Sequence, residues 1–309
     1  MELQYIKESN INKYKYNTAN VVSTYPYWEY GNKYYVWDTF YKSLELNLKE
    51  YIIRNNYHIT DKLHIDKNKI INNDVFHSFY IKYIDSFDYE NFISIYCRHI
   101  DDIIIIPLTD TDKTLLANKF KIRQYREINI TNKDFNDLYY RIDKIIHDYS
   151  NKWFVRLSSN SAKRDVPITP LDSTLDILDL LTKSKTFYLQ EYTVNKASNI
   201  ILIPYNNIQP SNEFRLFVCN KKITAATQQV WYRKFNYNKA VLNNIIEAIN
   251  SYSLDDIPSM CVLDTYFDGI KLKLIEINPW ICAGSGLYDY DRDHNILFGM
   301  VAPQLRIIE

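Results

Sequence analysis

Glycine is scarce in this sequence, with only 5 among 309 residues. Neither G-x-x-x-x-G-K-[ST] nor G-x-G-x-x-G occurs, so the two glycine-rich loops that commonly cradle phosphates through backbone N–H groups are both absent. If the protein binds a nucleotide, side-chain cations and a metal ion must therefore hold the phosphates.

An excess of either charge is also lacking, because 37 Lys and Arg residues balance 37 Asp and Glu residues. Without a net positive field, nucleic-acid binding through bulk electrostatics has no support, and we expect no nucleic-acid partner. The 6 histidines show no metal-ligand spacing such as H-E-x-x-H, and no G-x-S-x-G nucleophile elbow occurs. We interpret the histidines as surface or core residues.

Cysteine pairs and long apolar runs are missing as well. Cys97, Cys219, Cys261 and Cys282 lie far apart with no C-x-x-C pair, which argues against a zinc site or a redox motif. No apolar run approaches the ~20 residues that span a bilayer, and Met1–Lys7 lacks the apolar core of a signal peptide. We therefore expect a soluble cytoplasmic protein with reduced thiols and no membrane contact. We also expect a monomer, although the sequence itself does not reveal the oligomeric state.

The spacing of apolar residues predicts an α+β protein rather than a doubly wound parallel sheet. We expect a weakly ordered arm over 1–20, a helix-rich N-terminal portion over 21–130 and two α+β lobes over 131–309. Asp101–Pro107 is typical of a buried strand stopped by proline. A capping-box pattern at Thr131 begins the clearer elements. In order these are a helix to Tyr149, a strand at Trp153–Leu157, a helix after Ser173, a strand at Thr186–Tyr192, a connection over Asn195–Gln209 with an apolar run at Ile200–Ile203, a hairpin at Glu213–Val230, a helix at Val241–Ile249 and a hairpin at Cys261–Asn278.

The last hairpin carries an acid and an amide side by side. Glu276 and Asn278 are two residues apart in a predicted strand, so both side chains leave the same face, while Ile275 and Ile277 point into the protein. Carboxylate and amide oxygens are hard ligands, which suit a magnesium ion that keeps room for water and phosphate. An exposed hairpin face without a ligand is the alternative interpretation.

Whether Asp264 joins this pair depends on the register of the hairpin. A two-residue Asp268-Gly269 turn would place Asp264 opposite Lys273 and send Glu276 to the other face. A loop of odd length centred near Ile270 would place Asp264 directly opposite Glu276. We favour the second register, because only this one gives three oxygen-bearing side chains a reason to lie on otherwise apolar strands.

Three cationic side chains have two possible roles each. Glu213 and Arg215 share a face of their predicted strand, so Arg215 either forms an intrastrand ion pair or grips phosphate oxygens through its guanidinium fork. Arg156, alone among apolar neighbours, and Lys163, in the loop that follows, have the same two interpretations. The residues by themselves leave both roles open.

Three linked motifs lie in roughly the last 180 residues. The first is the strand Trp153–Leu157 with its Ser/Ala/Lys/Asp loop. The second is Glu213–Val218 with Ala226–Gln229 on the partner strand, and the third comprises Val262–Tyr266 and Leu274–Trp280. In order and spacing, these motifs together resemble the cell division cycle protein 123 family, and the three are far more specific than any one of them.

The resemblance implies an ATP-grasp fold, in which two α+β lobes clamp Mg-ATP. It also implies an assembly chaperone for translation initiation factor 2, which binds the gamma subunit and helps it join the alpha subunit. By the same resemblance, ATP and Mg2+ are the cofactors, Asp264, Glu276 and Asn278 hold the metal, and Arg215 meets the phosphates. The strand end Leu189–Tyr192 would form the hinge that contacts adenine through backbone groups. The further nucleotide contacts implied are Arg156, Lys163, Asp165, Gln190, Glu191, Tyr192 and Gln228.

The chain departs from the family pattern at several positions. Arg156 stands where the family has lysine, and Glu276 stands for an aspartate, so both keep the charge of the family residue. Gln229 replaces an arginine, which removes one cation that the family places near phosphate, although Arg233 lies close by in sequence. The N-terminal region resembles the family least.

Two functions would use the same site residues. An assembly chaperone would bind Mg-ATP to stiffen a surface that holds a partner protein. An ATP-grasp carboxylate–amine ligase would phosphorylate a carboxylate and let an amine attack the acyl phosphate. A divergent member that keeps the fold but binds nucleotide weakly is a third possibility. On the resemblance we favour the chaperone, keep the ligase as the alternative, and leave open whether the protein is an enzyme.

Overall fold

The computed structural model describes residues 1–11, 86–158, 161–162, 166–188, 199–280, 283–289 and 292–309. The described residues fall into two compact units. One unit comprises residues 1–11, 86–87 and Ile208–Glu309, and the other comprises Asp88–Asn207. Among these residues, each unit contains one β-sheet.

The elements are numbered in chain order. The strands are β1 Glu2–Ile6, β2 Ile104–Pro107, β3 Trp153–Leu157, β4 Asn199–Pro204, β5 Glu213–Cys219, β6 Lys222–Gln228, β7 Met260–Phe267, β8 Leu272–Asn278 and β9 Gln304–Ile308. The α-helices are α1 Ile93–Tyr96, α2 Asp110–Arg123, α3 Asn136–Asp148, α4 Thr174–Lys183, α5 Lys185–Phe187, α6 Lys239–Asn250 and α7 His294–Leu297.

A three-stranded antiparallel sheet in the order β2-β4-β3 lies in the unit Asp88–Asn207. The helices around it begin at residues that satisfy free backbone N–H groups. Thr109 and Ser173 each accept a hydrogen bond from the first turn of α2 and α4, respectively, and each contributes about 1 kcal/mol to helix stability. The core of this unit includes Trp153 and Leu138, both 0% exposed.

The other unit is built on a six-stranded mixed sheet in the order β1-β9-β6-β5-β7-β8. Strand β9 runs parallel to both β1 and β6, and the other neighbouring strands are antiparallel. The turn between β5 and β6 uses Asn220 and Lys221 at φ 50° and 59°, the left-handed conformation that a two-residue hairpin turn requires. Phe214 and Phe217 point to opposite faces of β5 and are both 0% exposed, so both faces are covered there.

Most of the elements predicted after Thr131 are confirmed. The strand Trp153–Leu157 is β3, the two predicted hairpins are β5–β6 and β7–β8, and the predicted helices are α3, α4 and α6. Asp134 accepts a hydrogen bond from the Thr131 N–H at 2.9 Å, as the predicted capping box requires. These segments were predictable because each carries a complete local signal, an apolar period bounded by a polar cap or turn.

The strand predicted at Thr186–Tyr192 is wrong over its described part. Lys185–Phe187 forms the helical turn α5 instead, and the Ser184 side chain caps it by accepting a hydrogen bond from the Phe187 N–H at 3.2 Å. The side-chain cap at Ser184 therefore favours a helical turn, although the apolar composition of the segment had suggested a strand. The rest of this predicted strand, residues 189–192, lies outside the described residues.

Two further segments differ because their strand partners are distant in sequence. The apolar run inside the predicted connection Asn195–Gln209 forms β4, the central strand of its sheet. The predicted buried strand Asp101–Pro107 is extended only from Ile104 and lies at the edge of that sheet, where Ile105 is 37% exposed. Proline at the end of β2 agrees with an edge position, since it has no N–H to donate.

The described part of the predicted weakly ordered arm is a strand. Glu2–Ile6 pairs with β9, with Gln4 opposite Arg306, and Ile6 packs in an apolar cluster with Leu287 and Ile308. Pairing across almost the whole length of the chain leaves no local pattern, so the sequence did not reveal it. Residues 12–85, which hold the rest of the arm and most of the predicted helix-rich portion, lie outside the described residues, and the predicted boundary at 130/131 stays a prediction.

Candidate functional site

The hairpin of β7 and β8 places Asp264 opposite Glu276, which confirms the favoured pairing. The turn, however, is an even four-residue connection, because the ladder ends with Phe267 paired to Leu272. A β-bulge with Ile275 as its extra residue shifts the register between the turn and the acids. Neither of the two registers predicted from the sequence therefore applies to the whole hairpin. The bulge shifts the pairing by one residue and so brings the carboxylates of Asp264 and Glu276 opposite each other.

The bulge also changes which residues of β8 are buried. Leu274 is 0% exposed and Ile277 is 2% exposed, whereas Ile275 is only half-buried. The prediction that Ile275 points into the protein is therefore wrong, because an extra residue interrupts the two-residue alternation of a strand. The prediction for Ile277 is confirmed.

The turn itself is organised by Asp268. Its Oδ1 accepts hydrogen bonds from the backbone N–H groups of Ile270 and Lys271, both at 2.9 Å. The hydrogen bond from the Lys271 N–H is the main cause that holds the pKa of Asp268 below its usual range. Gly269 supplies the residue at φ 103° that such a turn needs. Asp268 thus stabilises the turn and lies at the end of the hairpin away from the acid pair.

Arg215 on β5 lies directly opposite Asp264 on β7. Its Nε donates to Oδ1 at 2.8 Å and its Nη2 donates to Oδ2 at 2.9 Å, so the guanidinium covers both carboxylate oxygens. Asn278 donates from Nδ2 to Oδ2 of the same carboxylate at 3.2 Å. Only 12% of the Arg215 side chain and 7% of the Asp264 side chain are exposed. The structure therefore joins three predicted site residues in one hydrogen-bonded cluster, with Glu276 paired beside it.

A row of polar side chains crosses the whole sheet on this face, because direct cross-strand partners point to the same side. Next to Gln4 at one end, Arg306 is 5% exposed and forms a bidentate ion pair with Asp293 at 2.7 and 2.8 Å. This arginine is already neutralised and stabilises the sheet. The acid pair forms the other end. In strand order the row is Gln4, Arg306, Thr227, Arg215, Asp264 and Glu276.

Residues 284–287 lie over the centre of this polar row. The Gly284 carbonyl accepts a hydrogen bond from Arg215 Nη1 at 2.5 Å, and the Leu287 N–H donates to Thr227 Oγ1 at 3.3 Å. Gly286 has φ +60°, and a Cβ at this position would lie 2.5 Å from Thr227 Cγ2. The close approach and the left-handed backbone therefore both require glycine here.

This glycine segment was not among the site residues predicted from the sequence. A signal was nevertheless present, because two of the 5 glycines in the chain, Gly284 and Gly286, are separated by one residue and follow shortly after Asn278-Pro279. In a chain so poor in glycine, such a pair indicates close backbone approach. Its position over Arg215, however, depends on the tertiary structure.

The oxygen donors around Asp264 suit a magnesium ion. Asp264 and Glu276 are cross-strand partners, and Asn278 lies within hydrogen-bonding distance of Asp264, so two carboxylates and an amide converge. These are hard oxygen ligands, and a set this small leaves positions for water and phosphate, as magnesium sites normally do. In the part of the chain that the structure describes, no cluster of three or more His, Cys, Asp and Glu side chains could hold a metal, so the candidate site depends on the amide as well.

Gln228, predicted as a nucleotide contact, lies elsewhere. It neighbours Thr227 on β6 and so points to the opposite face of the sheet from Arg215. Its side chain is 0% exposed, and its Nε2 donates to the Val230 and Arg233 carbonyls at 2.7 and 2.6 Å. Its Oε1 accepts from a backbone N–H of β9 at 2.9 Å. This amide stabilises the loop after β6, and its position does not fit the predicted role.

Arg156, the other predicted cation in a strand, belongs to β3 in the unit Asp88–Asn207. It is 5% exposed, its guanidinium carbon lies 4.4 Å from the centre of the Tyr89 ring, and its Nε donates to the Leu157 carbonyl at 3.3 Å. Stacking on an aromatic ring satisfies a guanidinium well. The remaining predicted contacts lie outside the described residues, namely Lys163, Asp165, Gln190, Glu191 and Tyr192.

A mixed sheet whose one face gathers an arginine, two carboxylates and an amide defines an α+β protein with a candidate site for a metal ion and phosphate groups. The D123 family model matches residues 107–308, and the chain belongs to this family. Membership confirms the resemblance to the cell division cycle protein 123 family that the motifs indicated. Over the described ranges, none of the helices combines the length and the apolar character needed to cross a membrane.

The chain is similar in sequence or structure to several known proteins. A CDC123-like protein of Acanthamoeba polyphaga mimivirus is 27% identical over 194 residues, which are 54% of this chain and 58% of the viral protein. The match therefore spans little more than half of that curated relative. Cdc123 from Schizosaccharomyces pombe has a TM-score of 0.58 and 19% identity, with 74% of this chain and 97% of that chain covered. A RimK domain ATP-grasp protein from Sphaerobacter thermophilus is similar with a TM-score of 0.39 and 8% identity, over 70% of this chain and 66% of that chain.

The fold class follows from these findings and from the elements themselves. The chain shares the fold of the fission-yeast Cdc123, with sheets and helices in both units. The α+β class predicted from the sequence is therefore confirmed.

Proposed function

We propose that this protein is a monomeric, cytoplasmic, ATP-grasp assembly chaperone that binds Mg-ATP and translation initiation factor 2 through its gamma subunit. One observation carries the nucleotide part: Arg215, Asp264, Glu276 and Asn278 come together on one face of the six-stranded sheet. Membership in the D123 family supports the chaperone part.

Each residue of the cluster has a proposed role. Asp264, Glu276 and Asn278 hold magnesium through oxygen atoms, and the bound ion neutralises phosphate charge. A triphosphate and two carboxylates repel each other unless a divalent cation lies between them, so ATP affinity depends on the metal. Arg215 contributes the guanidinium fork that matches phosphate oxygens.

The proposal extends to segments beyond this cluster. Leu189–Tyr192 acts as the hinge that contacts adenine through its backbone, and Lys163 and Asp165 contribute further nucleotide contacts. Residues 131–309 form the ATP-grasp lobes, with residues 21–130 as a helix-rich addition. The family resemblance supports these assignments.

Calorimetry of Mg-ATP binding tests the nucleotide part. We expect binding to wild type with magnesium and a large loss in chelator, and both Asp264→Ala and Glu276→Ala should weaken Mg-ATP binding by at least about tenfold. Glu247→Ala is the matched control, since it removes a carboxylate from an exposed position on α6 of the same unit. Binding heats unchanged by both site substitutions, or equal affinity in chelator, would refute the proposed site.

Partner binding and turnover test the chaperone part. The purified protein should form a complex with the gamma subunit of initiation factor 2 in size-exclusion chromatography, and its ATP turnover should stay low when carboxylates and amines are added. Strong stimulation of ADP and phosphate release by a carboxylate together with an amine, without a gamma-subunit complex, would instead support the ligase alternative.

A further inference from the structure

The carboxylate proposed as the central metal ligand is covered by a cation. Both oxygens of Asp264 accept hydrogen bonds from Arg215, at 2.8 and 2.9 Å. Little of either side chain is exposed, 12% for the arginine and 7% for the aspartate, so water does not substitute easily for this contact. A metal ion that arrives alone therefore meets an ion-paired ligand.

The arginine opposes a lone metal ion in two ways. Its positive charge lies next to the place where a divalent cation would bind, and the repulsion is only weakly screened in a largely buried site. Displacing it would also break a bidentate ion pair that is largely buried, which is costly. Both effects weaken metal binding at Asp264 as long as Arg215 keeps its two hydrogen bonds to this carboxylate.

A bound nucleotide offers the Arg215 guanidinium an alternative partner. Phosphate oxygens bind a guanidinium fork in the same bidentate way as a carboxylate does. Resting on the proposed Mg-ATP function, we propose that Arg215 is an exchangeable partner of Asp264: it covers the carboxylate in the nucleotide-free protein and moves to the phosphates when nucleotide binds. The exchange releases Asp264 for the metal without leaving either charge unpaired.

Two neighbours make this exchange feasible. Asn278 donates to Asp264 Oδ2 at 3.2 Å, so a neutral group still orients the carboxylate after the arginine leaves. The Gly284 carbonyl accepts from Arg215 Nη1 at 2.5 Å, a third nitrogen that the carboxylate does not use. This contact anchors the arginine at the site while its other two nitrogens change partners.

Metal and nucleotide binding are then coupled, and the coupling is reciprocal. Nucleotide tightens the metal by removing the arginine from Asp264, and the metal tightens the nucleotide by the same factor. Arg215 is thus a positioning residue for the metal ligand as well as a phosphate contact.

Binding of Mn2+ alone, used as an electron-paramagnetic-resonance probe for magnesium, tests the exchange without any nucleotide. Arg215→Gln should bind Mn2+ about tenfold more tightly than wild type, since one opposing charge next to a divalent ion is removed. Arg215→Lys, which keeps the charge but loses the fork, should lie between the two. Adding a non-hydrolysable ATP analogue should tighten Mn2+ strongly in wild type and much less in Arg215→Gln.

Two controls locate the effect. Lys273→Gln removes a cation from the same hairpin near its turn, where Lys273 lies 4.0 Å from Asp268, and should leave Mn2+ affinity at the wild-type level. Adding Asp264→Asn to Arg215→Gln should abolish the tighter binding, because the gained affinity belongs to this carboxylate. Thermal unfolding identifies any variant that does not fold, and Arg215→Lys then carries the comparison.

The outcomes separate this inference from the proposed function. Equal or weaker Mn2+ binding by Arg215→Gln overturns the exchange, even if wild type binds Mg-ATP as proposed. Tighter Mn2+ binding that depends on Asp264 supports the exchange. Absence of nucleotide binding to wild type, with or without metal, overturns the proposed function and with it the transfer of Arg215 to phosphate.

Discussion

The ion pair of Arg215 and Asp264 should be a strong stabilising contact in the absence of any ligand. Replacing Asp264 by Asn keeps the shape of the side chain but removes the carboxylate that pairs with a guanidinium only 12% exposed. At an effective dielectric constant of about 20, unit charges about 4 Å apart interact by about 4 kcal/mol. Removing one partner of a buried pair commonly costs about 3 to 5 kcal/mol, because the remaining charge stays desolvated.

We therefore expect Asp264→Asn to lower the free energy of unfolding by about 3 kcal/mol, at the lower end because both side chains keep some exposure. Arg215→Gln should cost a similar amount, and the double variant should cost clearly less than the two single costs added together. The difference, a coupling energy of about 2 kcal/mol, is the quantity that reports the pair. Urea denaturation of the four proteins measures it.

A second ion pair serves as the control for this cycle. Lys152 and Asp172 approach to 3.6 Å, but both side chains are 61% exposed, and such surface pairs couple by less than about 0.5 kcal/mol. Additive costs for Arg215 and Asp264, or a loss below about 1 kcal/mol for Asp264→Asn, would refute the argument from burial and bidentate geometry.

Two further predictions concern a close contact and a titrating group. Gly286→Ala should lower the free energy of unfolding by about 1 to 3 kcal/mol, because the new methyl group would lie 2.5 Å from Thr227 Cγ2. Gly269→Ala is the control: no atom lies within 4 Å of its new Cβ, so it should cost only the strain of its positive φ. Equal shifts of the melting temperature in the two variants would contradict this prediction. Asp134→Asn should reduce acid sensitivity, because the Lys119 hydrogen bond lowers the pKa of Asp134 in the folded protein. The resulting stabilisation is present above the unfolded pKa of about 4 and is lost as pH falls through the folded pKa. The melting temperatures of wild type and Asp134→Asn should therefore converge as the pH is lowered from about 6 to about 3. A difference in melting temperature that stays constant over this range would argue against the linkage.

The site residues differ in how well the sequence predicted them. Glu276 and Asn278 share a strand face by simple alternation, and Arg215 is a cation in a clearly apolar strand, so each was identifiable from a few neighbouring residues. The pairing of Asp264 with Glu276 was correct for an incomplete reason. The prediction rested on the length of the turn alone, whereas the bulge at Ile275 sets the register of this part of the hairpin.

Gln228 shows the limit of transferring a role by motif. The motif matched, yet the residue points to the opposite face of the sheet from Arg215, and its amide is used entirely within the protein. The pairing of β5 and β6 makes adjacent residues face opposite sides, so a shift of one position separates a site residue from a structural one. A single sequence does not show which of the two adjacent polar residues faces the site.

What the chain determined locally was the type and position of most of its elements from Thr131 onward, since apolar period, caps and turns act within about a dozen residues. Tertiary structure alone decided which distant segments meet: β1 with β9 at the two ends of the chain, β4 between β2 and β3, and the Gly284 carbonyl with Arg215. Such contacts depend on the burial of surfaces from several elements at once, which no local pattern encodes. The carboxylate pair of Asp264 and Glu276 depends on both the local pattern and the tertiary structure. The sequence identified the two residues as candidates, whereas one extra residue in β8 places them opposite each other.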